Sequence, residues 1–178
     1  SLIPGQGMNG VSTAGTLDQS GASVVGGTAG GIDYFPTKPG NPAIIQEFMP
    51  PLPQSPDAVY GYPEGTLRSL AMSGANGSQH VTSPGALTFP LRGVTYVELD
   101  SSLIWQAIDF GESEGVLVVH NAWTNAKIKD LNGGIFRGLI IADDVEKIHA
   151  TIIGGVVALG DTPSGNCIGN GTGDVLFS

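Results

Sequence analysis

The chain has one cysteine, Cys167, which excludes an intrachain disulfide framework and any zinc cluster built on cysteines. Basic residues are nearly as scarce. Seven Lys and Arg stand against sixteen Asp and Glu, for a formal charge of −9, and the seven are dispersed. A nucleic-acid surface gathers Lys and Arg on one face, so no nucleic-acid partner is expected. Long apolar runs are missing too: no stretch approaches the ~20 residues of a membrane span, and no signal peptide opens the chain. Ser1-Leu-Ile-Pro lacks an initiator Met, so an excised or processed segment is expected, with any membrane anchor upstream. Charged residues are thin at 13%, whereas Gly 28 and Pro 12 together exceed a fifth of the 178 residues. That mixture disfavours helices and suits a β protein made of short strands and corners. A hydrophobic share of 40% argues against disorder, and the length suits one core rather than two ordinary domains.

What the chain does have is a returning phrase in its last third. It reads Gly115-Val-Leu-Val-Val-His-Asn, Gly138-Leu-Ile-Ile-Ala-Asp-Asp, Gly155-Val-Val-Ala-Leu-Gly-Asp and Gly173-Asp-Val-Leu-Phe-Ser. The starts lie 23, 17 and 18 residues apart (115 to 138, 138 to 155, 155 to 173). Each copy is a glycine, an apolar burst too short for a helix, and a polar or small exit. A second strand sits inside the units, at Lys127-Ile-Lys-Asp and Lys147-Ile-His-Ala. A strand-and-turn unit of this length predicts one coil per repeat stacked on the next. The expected fold is all-β: a parallel β-helix of several short coils with one short α-helix and a proline-rich strap.

A single domain is expected over 1–178. Residues 1–33 are Gly-, Ser- and Thr-rich and read either as a flexible linker or as a partial coil, with a small strand in Ser20-Gly-Ala-Ser-Val-Val-Gly-Gly. Residues 34–63 carry Pro36, Pro39, Pro42, Pro50, Pro51, Pro53, Pro56 and Pro63. Proline removes ladder donors and fixes φ, so neither an interior strand nor a helix is expected there. Ile44, Ile45, Phe48, Met49 and Leu52 make this segment too apolar for a solvated linker, and an extended strap along the flank is predicted. A helix is predicted over 64–73, capped by Thr66 and stopped by Gly74, followed by a turn at Asn76-Gly77. Val94-Thr-Tyr-Val-Glu-Leu and Leu103-Ile-Trp-Gln-Ala-Ile-Asp-Phe alternate as strands. The main coils are expected over 94–178, divided at roughly 94–121, 126–144, 145–161 and 167–178.

Few side chains have the spacing of a reactive site. Asp143 and Asp144, with Asp130, Glu146, Asp161 and Asp174 in neighbouring coils, are the candidates for paired carboxylates or a calcium column. Acidic exits of this kind ordinarily cap corners, and the Gly-Gly-x-Gly-x-Asp nonapeptide is absent. His80, His120 and His149 are scattered without a His-Glu-x-x-His pairing. No Gly-x-Ser-x-Gly elbow makes a serine nucleophile, and Cys167 reads as a small packed residue. No catalytic residue, metal site or cofactor is therefore expected. The strongest contact candidate is Trp123, beside Asn121 and Asn125 between the first and second coils, which reads either as a platform for a sugar or protein partner or as a lid over the coil edge.

The phrases Thr88-Phe-Pro-Leu-Arg-Gly-Val-Thr-Tyr-Val, Glu114-Gly-Val-Leu-Val-Val-His-Asn, Phe136-Arg-Gly-Leu-Ile-Ile-Ala-Asp-Asp, Ile152-Ile-Gly-Gly-Val-Val-Ala-Leu and Gly169-Asn-Gly-Thr-Gly-Asp-Val-Leu-Phe-Ser resemble the C-terminal β-solenoid domain of PilX-like minor pilins, proteins associated with type IV pili. The likeness runs from about residue 64 onward. It implies a non-enzymatic, extracellular domain that acts in pilus assembly, tip presentation or adhesion, behind an N-terminal pilin helix that this sequence lacks. The implied partners are other pilins or tip proteins and a surface or glycan ligand, with membrane contact only through the upstream helix. The alternative from residues alone is a carbohydrate-binding or carbohydrate-cleaving β-helix domain.

Strand parity adds one expectation. In Leu139-Ile140-Ile141 successive side chains face opposite sides, yet both sides are apolar, so something must cover the outer face. The proline-rich strap is the segment expected to do so.

Overall fold

A computed structural model describes residues 53–100 and 104–159, with the short strand segments 11–12, 45–46 and 175–176. The chain is mostly β, and its main feature is a seven-stranded, all-parallel sheet. Its strands are β3 (Gln79–Val81), β4 (Val94–Glu98), β5 (Ile104–His120), β6 (Lys127–Ala142), β7 (Asp144–Ile148), β8 (Thr151–Ala158) and β9 (Val175–Leu176). They lie in the order β3-β4-β5-β6-β8-β9, with β7 also paired to β6. Separately, β1 (Val11–Ser12) pairs in parallel with β2 (Ile45–Gln46).

The long strands cannot be straight. Lys127 at the head of β6 pairs with Ile104 at the head of β5, so the chain must return there from His120 through six residues. That link reaches about 25 Å at full stretch, whereas a straight strand as long as β5 would run about 55 Å. The return from β6 is tighter still. Ala142 ends the strand, and Asp144, two residues on, already pairs with Lys127 at the start of the same strand. Each long strand therefore bends back on itself.

One of the bends falls at a column of glycines. Gly115 pairs with Gly138, and Gly138 with Gly154, while Val116 N donates to Gly93 O at 2.8 Å. All four glycines have positive φ. A Cβ on Gly115 would lie 2.1 Å from Gly93 O, on Gly138 1.9 Å from Gly115 O, and on Gly154 2.0 Å from Gly138 O. No other residue fits such a close backbone approach. The column also corrects two of the frames read from sequence. The third copy starts in register at Gly154, not Gly155. Val175 pairs with Ile152, an offset of 23 residues (152 to 175), so the last phrase is displaced from the frame set by Gly173. Likewise Val94 pairs with Val116, so residues 94–121 span two levels of the stack rather than one coil.

Alternation then sorts the side chains into two cores. Leu117, Val119, Ile140 and Ala142 point into the main core with Trp105, Phe110, Ile128, Leu131 and Ile148. Tyr96, Val118 and Ile141 point the other way, under Leu67, Ala71 and Val59. Both Ile140 and Ile141 are fully buried, so the outer face is covered as parity requires.

Among the described residues the cover comes from two helices, α1 (Pro56–Tyr60), which lies within the expected strap, and α2 (Thr66–Met72). A helix inside the proline-rich stretch overturns the expectation for 34–63, and the reason is positional. Pro56 sits in the first turn, where its missing N–H costs nothing. Ser55 Oγ accepts from Ala58 N at 3.2 Å, and Gly61 ends the helix in the left-handed region. Ile44, Phe48, Met49 and Leu52 lie outside the described residues, and Ile45 belongs to β2. The second helix is shorter than predicted. Thr66 does not cap it; its hydroxyl donates to Pro63 O at 2.6 Å. Buried Asp57 caps it instead, accepting from Gly65 N at 2.9 Å and Leu67 N at 2.8 Å. Gly74 follows the helix with φ 70, and Asn76-Gly77 forms the expected turn. Among the described residues no helix is long and apolar enough to cross a membrane. The strand read at Ser20–Gly27 lies outside the described residues.

Candidate functional site

The register that stacks Val119 on Ala142 sets the next residues, His120 and Asp143, side by side. Asp143 follows β6 and is buried. Its Oδ1 lies 2.6 Å from His120 Nδ1. Its Oδ2 accepts from Asn121 N at 3.1 Å and from Ala126 N at 3.0 Å. One carboxylate thus fastens both ends of the loop that links β5 to β6, with three partners for the charge it keeps out of water.

Asn121 organises the inside of that loop. It is 2% exposed. Its Oδ1 accepts from Trp123 N and Asn125 N, both at 3.1 Å, and its Nδ2 donates to Asn125 Oδ1 at 2.7 Å. The backbone closes the turn through Thr124 N to Asn121 O at 3.0 Å, and Thr124 takes φ 51. Thr124 Oγ1 donates to Trp123 O at 2.8 Å. The result is a tightly bonded turn with Trp123 at its crest, 60% exposed. More than half of the Trp123 surface is open to solvent.

The three residues singled out in sequence, Asn121, Trp123 and Asn125, are therefore brought together. Asp143 and His120 complete the site, whereas the sequence alone reads Asp143 as a corner cap and His120 as one of three scattered histidines. The signal lies in the repeat: 120 plus the 23-residue spacing of the first two copies is 143. An imidazole held by a carboxylate resembles the orienting half of a catalytic dyad. Here the same carboxylate also holds the two ends of the loop.

The other acidic candidates are held in ion pairs. Asp144 lies 3.2 Å from Lys127 Nζ, and Glu146 lies 3.5 Å from Lys127 and 3.1 Å from Lys129. This ladder follows from the register of β6 with β7, which places Lys127 beside Asp144 and Lys129 beside Glu146. The hydrogen bond from Lys129 draws the Glu146 carboxyl below its ordinary range. Burial works against the Lys127 ammonium, but Asp144 and Glu146 outweigh it and raise its pKa. Asp130 pairs with Lys147 at 3.8 Å. Asp161, Asp174 and Cys167 lie outside the described residues.

A second polar cluster borders α2. Glu98 Oε2 lies 2.8 Å from Arg68 Nε and 2.9 Å from His80 Nε2. Burial would raise the Glu98 carboxyl, but the hydrogen bonds from His80 and Arg68 bring it below its ordinary range. Burial, with the neighbouring Glu98 charge, pushes the Tyr96 hydroxyl far above the usual phenol range. Among the described residues no three His, Cys, Asp or Glu side chains converge as a metal site. No protein-family model, curated protein or solved structure matches the chain.

Proposed function

We propose that the chain is a short parallel β-helix serving as the non-enzymatic extracellular domain of a type IV pilus-associated, minor pilin-like protein. In this reading it presents the Trp123 loop on a rigid stack, in pilus assembly, tip presentation or adhesion. The observation that carries the reading is the stacking of the phrases behind the resemblance. Residues 94–97, 115–119, 138–142 and 154–158 lie on one another in register, and β6 returns within two residues to the level above its own start. Rigidity follows from the glycine column and the two cores, and it suits a module whose work is to hold a contact residue in place. The test is fractionation of the full-length, tagged protein in its natural host. Recovery with sheared pili, and loss of piliation or attachment on deletion, are expected. Recovery in the cytoplasm would sink the reading.

The carbohydrate alternative keeps one specific support, the exposed Trp123. Its cleaving form is disfavoured, because Asp130, Asp144 and Glu146 are each engaged by a lysine rather than set as a free carboxylate pair.

A further inference from the structure

We propose that the Trp123 loop is a binding site for a neutral sugar ring, with the indole as its stacking platform. The inference rests on the reading of the domain as a presenting module and names the ligand class it presents to. Three observations select a sugar over a protein partner.

The first is charge. The loop Asn121-Ala-Trp-Thr-Asn-Ala carries no ionisable side chain although the whole chain stands at −9. The one carboxylate beneath it, Asp143, is fully buried and turned inward to His120, Asn121 N and Ala126 N. Lys127 and Asp144, which follow the two segments, pair with each other at 3.2 Å. Among the described residues the surround of the ring is uncharged, which favours an uncharged ligand over a basic peptide, since that would need carboxylates flanking the ring.

The second is scale. A stable protein interface removes about 800 Å² from each partner and is anchored by several residues, whereas here a single indole projects from a polar turn. One indole face matches the apolar face of one pyranose ring. The flanking groups supply what the ring's hydroxyls need. Asn125 uses Oδ1 to accept from Asn121, which leaves its amide N–H groups to donate. Thr124 spends its hydroxyl hydrogen on Trp123 O, which leaves its oxygen to accept.

The third is preorganisation. The turn is fixed by Asn121 from inside and Asp143 from beneath, and Thr124 is held at φ 51. A shallow site with one aromatic cannot spare energy to order a loop on binding, and this loop is already ordered.

The chain's two tryptophans make the test direct, since Trp105 is 6% exposed and Trp123 is 60% exposed. The emission of the intact protein is titrated with neutral hexasaccharides of glucose, mannose, galactose and N-acetylglucosamine, up to about 10 mM, and separately with decalysine. A saturable change with at least one hexasaccharide is expected. Affinity measured by calorimetry, which does not depend on the indole that the substitution removes, should fall at least about tenfold in Trp123→Ala while the melting temperature holds, and less in Trp123→Phe, which keeps an aromatic face. The proposal is overturned by silence towards all four sugars, by a response to decalysine alone, or by sugar binding that Trp123→Ala, or Trp123→Ser where the alanine variant fails to fold, leaves unchanged. Recovery with sheared pili is independent of these titrations, so the two readings fail separately.

Discussion

Gly138 carries the sharpest constraint on any single position. A methyl group there would meet Gly115 O at 1.9 Å, with φ at +139. Gly74 has φ +70, but a methyl group there would meet nothing within 4 Å. The pair separates the two costs of adding a side chain. Gly74→Ala should lose about 1–2 kcal/mol, the left-handed penalty alone. Gly138→Ala must also displace backbone that is itself hydrogen-bonded on both sides, and it should lose at least about 3 kcal/mol in urea unfolding. Equal losses would show that the column is not tightly stacked. Thr95 makes the opposite case. Its Oγ1 is buried without a hydrogen-bond partner among the described residues, in the column that continues through Leu117 and Ile140. Thr95→Val removes an unmet hydroxyl at nearly constant shape. It should leave stability unchanged or raise it by about 1 kcal/mol, whereas a clear loss would mean that the hydroxyl finds a partner.

At the scale of elements, the helices decide whether the outer face stays dry. Leu67 is 2% exposed and packs over Tyr96, Val118 and Ile141. Leu67→Ala should cost about 2–4 kcal/mol and raise binding of an apolar dye, because a loosened α2 uncovers a continuous apolar strip. A mutant that loses stability without binding dye would place the damage elsewhere. The need for a cover was legible in Leu139-Ile140-Ile141, since period-2 alternation with no polar parity leaves no face for water. That helices form it was not. Proline density over 34–63 masked α1, because a proline at the first helical position is favourable and only one in the interior is prohibitive. The cap of α2 was hidden for a related reason: Asp57 acts from ten residues upstream of Leu67, beyond any local capping pattern. In the site, Trp123 with Asn121 and Asn125 could be read locally, whereas Asp143 could be placed only by stacking one repeat on another.

For the molecule as a whole, two carboxylates fix the acid limb of stability. Glu98 ties α2, β3 and β4 through Arg68 and His80, and Glu146 ties β6 to β7 through Lys127 and Lys129. Both have carboxyl pKa values lowered from 4.5, so the folded chain binds their protons more weakly than the unfolded chain does. Their contribution is complete above about pH 4.5 and is lost as pH falls through the lowered folded values. Lys127 has the reverse sign. Its pKa is raised from 10.5, so its contribution is complete below that value and is lost as pH rises through the folded one. Net charge acts against the acid loss, because −9 at pH 7 shrinks to zero near the pI of 4.4 and relieves self-repulsion. That relief is long-range and is screened beyond about 8 Å at physiological salt, while the pairs at 2.8–3.1 Å are in contact. The contact pairs should therefore win. Urea unfolding at 0.15 M salt should give a plateau from pH 7 to about 5 and a fall below it. Glu98→Gln should lower the plateau and flatten the fall, most clearly when combined with Glu146→Gln. A double variant that keeps the parent's acid slope would show that neither carboxylate sets the limb, and that the three elements meeting at Glu98 are held by their apolar contacts alone.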